Sequence, residues 1–152
     1  MFGRISRNSK LPLTFAIIAV AVAGYDTQSN PWAKDELIEP GALAELMKSS
    51  SAQPEIVSVV FPVMYRQRHI LHARFAGPGS KPEGLEALRQ LVQNLPKNAE
   101  IVIYCGCCPM EKCPNIRPAY QALKELGFTK IRVLDLPTNF HTDWVEKSYP
   151  VE

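Results

Sequence analysis

Short runs of β-branched and apolar residues alternate with amphipathic helical stretches along this chain of 152 residues. The strand-like runs cover residues 56–60, 101–104 and 130–134, with a short edge strand over residues 35–39. Helical spacing of leucines and alanines predicts helices over residues 40–48, 81–95 and 116–126, and a last short helix over residues 140–147. This alternation predicts an α/β fold with a mostly parallel central sheet and helices on both faces.

The only four cysteines of the chain lie in one segment between the strand at residues 101–104 and the helix that begins at Ile116. They are Cys105, Cys107, Cys108 and Cys113; Pro109 lies between the third and the fourth, and Pro114 follows the fourth. A loop with two prolines cannot bury four thiols as core. The pattern therefore favours a reactive role for the cysteines over a packing role. Cys105 is the candidate nucleophile, because the carboxyl end of a strand faces the ligand crevice and a helix start lowers a thiol pKa.

Several short motifs occur in an order that resembles the rhodanese family of sulfurtransferases. They are residues 100–105, Gly127-Phe128 followed by residues 131–134, and Trp144 followed by Tyr149-Pro150-Val151-Glu152; upstream, Tyr65 and His69-Ile70 add to them. The resemblance spans residues 35–152 and implies a rhodanese-like three-layer fold with Cys105 as the catalytic cysteine. Its specificity comes from the combination of motifs rather than from any one of them.

The chain departs from the family pattern at the early strand and in the cysteine segment. Ser58 and Val60 stand where the family has Asp and Arg, and Arg68, Leu71 and His72 replace Gly, Pro and Gly around His69-Ile70. The cysteine segment is longer, and the first arginine after Cys105 is Arg117. Pro109 and Pro114 also remove two backbone N–H donors from it.

The resemblance implies a sulfurtransferase that holds sulfane sulfur as a Cys105 persulfide. The donor would be thiosulfate, 3-mercaptopyruvate or another persulfide, the acceptor would be a thiol, and no cofactor is needed. Loop amides and the helix start would stabilise the persulfide charge. The candidate substrate-binding residues are Gly106, Asn115, Lys112 and Arg117, of which the two cations would attract an anionic donor.

Three roles are open for Cys107, Cys108 and Cys113. One of them would resolve the persulfide and release sulfide, or they would pair as structural disulfides in an oxidising compartment. Alternatively all four cysteines would bind zinc, copper(I) or an iron–sulfur cluster, which makes the domain a non-catalytic metal-binding or partner-binding module. Their spacing differs from the usual zinc and ferredoxin patterns.

Other polar residues carry weaker signals. A cysteine phosphatase needs an arginine six positions after its nucleophile, and Glu111 occupies that position after Cys105, which argues against this class. The histidines and arginines of residues 66–74 either line the entrance to the site or serve the surface and the core. His141 and Asn139 would approach the cysteine segment from the carboxyl-terminal turn.

The amino terminus has the order of a secretory signal peptide. Arg4, Arg7 and Lys10 precede an uncharged run over residues 11–23, which ends in Ala21-Val22-Ala23. We expect residues 1–23 to be removed, with an uncleaved membrane anchor as the alternative, and residues 24–34 to form a linker. The exported chain, periplasmic or secreted, would be nearly neutral, and this charge balance gives no indication of a nucleic-acid partner.

Overall fold

The structure of this protein, a computed structural model, describes residues 32–49 and 53–152. A five-stranded, all-parallel sheet has the order β1-β5-β4-β2-β3. The strands are β1 (Leu37–Ile38), β2 (Glu55–Ser58), β3 (Arg74–Phe75), β4 (Glu100–Tyr104) and β5 (Lys130–Leu134). The helices are α1 (Pro40–Lys48), α2 (Pro62–Gln67), α3 (Pro82–Val92) and α4 (Ile116–Glu125). The predicted α/β class with a parallel sheet is confirmed.

Helices cover both faces of the sheet. Successive residues of the central strand β4 point to opposite sides, and the apolar residues on each side pack against helices. Ile101 and Ile103 pack in one core with residues of α3 and α4, among them Leu88 and Leu123. Val102 and Tyr104 pack in a second core with Leu43 of α1 and with Trp144. Since β4 pairs with β2 on one side and β5 on the other, its carboxyl end lies in the middle of one sheet edge.

The boundaries of most predicted elements agree with the structure to within a few residues. The differences are short pieces: α2 and β3 were not predicted, nor was a 3-10 turn at Met110–Lys112. Such pieces are too short to produce a periodic pattern. The last predicted helix is a π-helical turn at His141–Val145, and the predicted edge strand is reduced to β1, preceded by a 3-10 turn at Lys34–Glu36.

The amino-terminal predictions fall largely outside the described residues. The signal segment 1–23 and residues 24–31 of the predicted linker lie there. Within the described part of that linker, the Trp32 ring packs edge-on against Tyr120 of α4 at a centroid distance of 5.0 Å. No helix in residues 32–49 or 53–152 is long and apolar enough to cross a membrane.

Candidate active site

Cys105 directly follows the last residue of β4, at the carboxyl edge of the parallel sheet. Its side chain is only 3% exposed and belongs to the core beneath α3 and α4. The strand order therefore puts the thiol where open α/β sheets bind ligands. The following residues up to Asn115, here called the cysteine loop (residues 105–115), lead into α4.

A cleft of about 550 Å³ opens beside Cys105. We call it the Cys105 cleft. Apolar side chains from three segments line it, and four polar side chains join them: Gln67, Arg68, Asn139 and His141. The apolar lining consists of Val60, Met64, Tyr104, Phe140 and Val145, and the cysteine loop contributes residues 105–107. The cleft is large enough for a small organic or inorganic donor.

The turn at Gly106 requires glycine for two reasons. Its φ is +80°, a conformation that other residues adopt only with strain. A Cβ atom there would lie 2.5 Å from the Cβ of Phe140, and the Phe140 N–H donates to the Gly106 carbonyl at 3.0 Å. Gly106 thus packs its backbone against Phe140 and sets the direction in which the cysteine loop leaves the strand.

The four thiols form a connected group with Cys107 at its centre. The Cys107 sulfur is 3.2 Å from the Cys105 sulfur, 3.2 Å from that of Cys108 and 3.9 Å from that of Cys113. The sulfurs of Cys105, Cys107 and Cys113 all lie within 4.8 Å of one another. All four are free thiols, of which Cys105 and Cys113 are buried while Cys107 and Cys108 are half-buried.

The surroundings of the three later cysteines favour the protonated thiol. Burial raises the pKa of Cys107 to about 12, although its contact with Cys105 acts in the opposite direction. Burial also raises the pKa of Cys108. The contact with Cys105, followed by burial, raises the pKa of Cys113 well above its usual range. In the resting, reduced state these three sulfurs are therefore neutral thiols at physiological pH.

Asn115, predicted to bind substrate, precedes α4 but does not cap it. Its side-chain amide makes no bond to the first turn. The Nδ2 donates to the Cys105 sulfur at 3.3 Å, and the Oδ1 accepts the Ser80 N–H at 3.1 Å. The segment around Gly79 approaches so closely that a Cβ there would lie 2.2 Å from the Asn115 carbonyl oxygen. Asn115 therefore places a hydrogen-bond donor at the sulfur of the predicted nucleophile.

The two predicted cations are not among the residues that line the Cys105 cleft. Lys112 is exposed in the 3-10 turn of the cysteine loop, and the Arg117 guanidinium lies 4.5 Å from the centre of the Trp32 ring. The cleft instead has Arg68 and His141. Arg68 directly follows α2, which is too short to show a helical periodicity in the sequence. The sequence therefore did not decide whether the arginines of residues 66–74 line the site or lie elsewhere on the surface.

The other predicted polar residues have structural contacts. His69 stacks on Tyr65 with ring centroids 3.8 Å apart and approaches Glu152 at 3.4 Å. Asn139 lines the cleft, but its Oδ1 accepts the Thr142 N–H at 2.9 Å and so stabilises the π-helical turn.

The apolar lining of the Cys105 cleft, above all Val60 and Met64, was not predicted from the sequence. The available signal was their position just after β2, which neighbours β4 in the sheet. The carboxyl ends of neighbouring parallel strands share one edge.

Comparison with known proteins decides the family. Residues 39–136 match the Rhodanese-like domain family, which is more than half of the chain. The chain belongs to this family. No curated protein matches the chain significantly.

Solved structures of low sequence identity share the rhodanese fold. The BH2092 protein from Bacillus halodurans is 22% identical with a TM-score of 0.61, and the match covers 78% of this chain and 77% of that one. A thiosulfate sulfurtransferase from Pseudomonas aeruginosa is 22% identical with a TM-score of 0.56, over 82% of this chain and 21% of that one. A persulfide form of EanB with ergothioneine is 23% identical with a TM-score of 0.55, over 76% of this chain and 27% of that one.

Proposed function

We propose that this rhodanese-like domain is a sulfurtransferase that carries sulfane sulfur as a persulfide on Cys105. The observation that carries the proposal is the position of the Cys105 sulfur, which lies beside a cleft at the carboxyl end of the central strand and accepts an N–H bond from Asn115. A thiolate in such a place is a nucleophile that a donor can reach.

The reaction has two steps. The Cys105 thiolate attacks the outer sulfur of the donor, and the sulfur–sulfur or carbon–sulfur bond of the donor breaks. The rest leaves as sulfite, as a thiolate, or as the enolate of pyruvate, which takes the proton of the donor thiol and becomes pyruvate. A thiol acceptor then attacks the outer sulfur of the persulfide and restores the Cys105 thiolate. The double displacement is of the ping-pong type.

The residues at the thiol support a negatively charged persulfide. The Asn115 amide donates directly to the Cys105 sulfur, and α4 begins one residue later at Ile116. The positive end of that helix and its free N–H groups favour negative charge nearby. Charge on the persulfide is stabilised in this way without a metal or a cofactor.

The Cys105 cleft supports a small sulfur donor and a thiol acceptor. Arg68 supplies a positive charge for a sulfonate, carboxylate or persulfide anion, and the apolar lining accommodates a short carbon chain. The Cys105 residue lines this cleft. We propose no nucleic-acid partner for the domain.

Sulfur loading tests the proposal. Reduced protein is incubated with thiosulfate or 3-mercaptopyruvate, and the added sulfur is mapped by mass spectrometry, with Cys105→Ser as the matched variant. We expect one sulfur atom on Cys105 and none in the variant. Transfer that continues undiminished in Cys105→Ser, or no loading with any donor, would contradict the proposal.

A second candidate function is metal binding, favoured by the three sulfurs of Cys105, Cys107 and Cys113 within 4.8 Å of one another. Such spacing suits a thiophilic ion, with zinc–sulfur distances of about 2.3 Å. Elemental analysis of protein purified without a metal-affinity step distinguishes the two functions. Stoichiometric zinc, copper or iron that is lost in Cys107→Ser and Cys113→Ser would support the metal site, whereas metal-free, persulfidated protein would exclude it.

We also propose that the domain acts after export, with residues 1–23 removed. The basis is the basic, apolar and small-residue order of that segment. Sequencing the mature amino terminus is expected to begin near Gly24. An intact Met1 on soluble cytoplasmic protein would overturn this location, and an intact Met1 on membrane-bound protein would favour the anchor.

A further inference from the structure

The Cys107 thiol of the cysteine loop lies in direct contact with the predicted nucleophile. The sulfurs of Cys107 and Cys105 are 3.2 Å apart, and the Cys105 thiol donates to Cys107. A disulfide needs a sulfur–sulfur distance of about 2.05 Å, so a shift of roughly 1 Å would join the two. Gly106, which lies between them, provides the sharp turn that brings the sulfurs together.

We propose that Cys107 is the resolving cysteine of the domain, which discharges the Cys105 persulfide as sulfide and leaves a disulfide between Cys105 and Cys107. This inference rests on the proposed function, because it requires a persulfide on Cys105. It deepens that function by making a reductive release of sulfide the fate of the sulfane sulfur when no external acceptor is present.

The step balances within the loop. The Cys107 sulfur attacks the inner sulfur of the Cys105 persulfide, a Cys105–Cys107 bond forms, and the bond between inner and outer sulfur breaks. The negatively charged outer sulfur of the persulfide takes the proton of the neutral Cys107 thiol, which converts Cys107 to the attacking thiolate, and then leaves as HS⁻. The two cysteine sulfurs are oxidised by two electrons in total, and the outer sulfur is reduced by the same two electrons.

Cys107 is better placed for this step than the two other thiols. Cys108 contacts Cys107 at 3.2 Å and is one residue farther from the nucleophile. Cys113 is 6% exposed, and its backbone N–H is bound to the Met110 carbonyl at 3.1 Å, which holds the residue beneath the 3-10 turn. Cys107 thus combines the 3.2 Å contact with Cys105 and a half-buried position.

The half-buried position also explains how the disulfide is reopened. Cys107 is half-buried whereas Cys105 is 3% exposed, so the Cys107 sulfur is the more accessible of the two to an external reductant. A dithiol reductant attacks that sulfur, forms a mixed disulfide with Cys107 and frees Cys105 for the next donor. The second thiol of the reductant then releases Cys107.

The test is a single turnover without an external acceptor. Purified protein is reduced, freed of reductant under nitrogen and given excess thiosulfate, a donor that is not itself a thiol acceptor. Released sulfide is trapped with monobromobimane, and the protein is mapped by mass spectrometry under non-reducing conditions. We expect one sulfide per chain and a Cys105–Cys107 disulfide.

Two variants distinguish the contributions of Cys107 and Cys108 to sulfide release. In Cys107→Ser we expect the persulfide to persist on Cys105 and sulfide release to fall by roughly tenfold or more, because the intramolecular nucleophile is gone. Cys108→Ser is the matched control, since it removes an adjacent thiol, and we expect it to release sulfide like the unchanged protein.

Three results would overturn the inference. They are sulfide release at the unchanged rate in Cys107→Ser, a persulfide that persists in the unchanged protein without a disulfide, and loss of release in Cys113→Ser instead. These outcomes leave the proposed function standing, because the persulfide is still detected or discharged. Absence of both persulfide and sulfide with every donor would overturn the proposed function together with the inference.

Discussion

The side-chain amide of Asn115 donates a hydrogen bond of 3.3 Å to the sulfur of Cys105. Asn115 is fully buried, and its Oδ1 accepts the backbone N–H of Ser80. Because a backbone N–H cannot pair with the amide NH₂, the bond to Ser80 fixes which end of the side chain faces the sulfur. The segment that joins β3 to α3 thereby orients a hydrogen-bond donor at the Cys105 sulfur.

Removing this donor is expected to slow the loading of sulfur. Asn115→Ala deletes the N–H that stabilises charge on the Cys105 sulfur, and we expect the single-turnover loading rate to fall about ten- to hundredfold. Asn115→Asp is expected to be at least as slow, since a carboxylate repels a thiolate. Rates are measured by mass spectrometry after rapid quenching.

The exposed Asn94, near the end of α3, provides the control. Asn94→Ala should load sulfur at the unchanged rate. Full loading rates in a folded Asn115→Ala protein would show that the hydrogen bond has no part in the reaction.

The turn at Gly106 is expected to tolerate a side chain less well than another positive-φ glycine. Gly127, which ends α4 at φ +85°, has no atom within 4 Å of an added Cβ. Gly127→Ala should therefore lower the free energy of unfolding by about 1 kcal/mol, through backbone strain alone. Gly106→Ala adds a clash with Phe140, and we expect a loss of roughly 3 kcal/mol or more.

Urea unfolding of the two glycine variants, monitored by tryptophan fluorescence, measures this difference. Equal losses in both would mean that the backbone around Phe140 gives way easily, and that Gly106 does not set the direction of the cysteine loop.

Alkylation of Cys107 is expected to remain slow until strongly alkaline pH. Burial raises the pKa of this thiol to about 12, so the thiolate that reacts with iodoacetamide is scarce at neutral pH. Its alkylation rate should rise nearly tenfold for each pH unit between about pH 7 and pH 10, where an ordinary thiol of pKa about 8.5 levels off. Peptide mapping after timed quenching gives the rate for Cys107 alone, and an unstructured cysteine peptide is the reference. A plateau for Cys107 near pH 9 would contradict the raised pKa.

A comparison of one arginine variant with one lysine variant tests which cation binds the sulfur donor. Arg68 lines the Cys105 cleft and Lys112 does not, although each substitution by alanine removes one positive charge. We expect Arg68→Ala to raise the KM for thiosulfate about two- to fivefold, the range of an exposed ion pair. Lys112→Ala should leave KM unchanged. The reverse pattern in steady-state assays would favour the role that the sequence predicted for Lys112.

The sheet and the position of Cys105 were predictable because they depend on long periodic patterns. The strands at residues 101–104 and 130–134 are buried runs, and the helices over residues 81–95 and 116–126 place leucines and alanines on one face. Such patterns reflect burial, which dominates folding. Once the strands are taken to pair in parallel, Cys105 is placed at the carboxyl end of a central strand, because it directly follows residues 101–104.

The environment of the thiol was not predictable from those patterns. Asn115 stands at a helix start, where local chemistry favours capping, yet its side chain turns to Cys105 and to Ser80, 35 residues away. Arg68 reaches the cleft because α2, a helix of only six residues, follows β2. Contacts between distant segments depend on tertiary packing, about which a single sequence carries little information.

The cysteine loop has a consequence for protein engineering, because its shape depends on partners outside it. The Met110 N–H donates to the Leu136 carbonyl, the Gly106 carbonyl accepts from Phe140, and the Asn115 side chain binds Ser80. A graft of residues 105–115 onto another scaffold would carry the four thiols without these anchors. A graft that keeps the shape of the cysteine loop would need the loop together with the turn before α3 and the segment after β5. Three separate stretches of chain would therefore have to be transferred together.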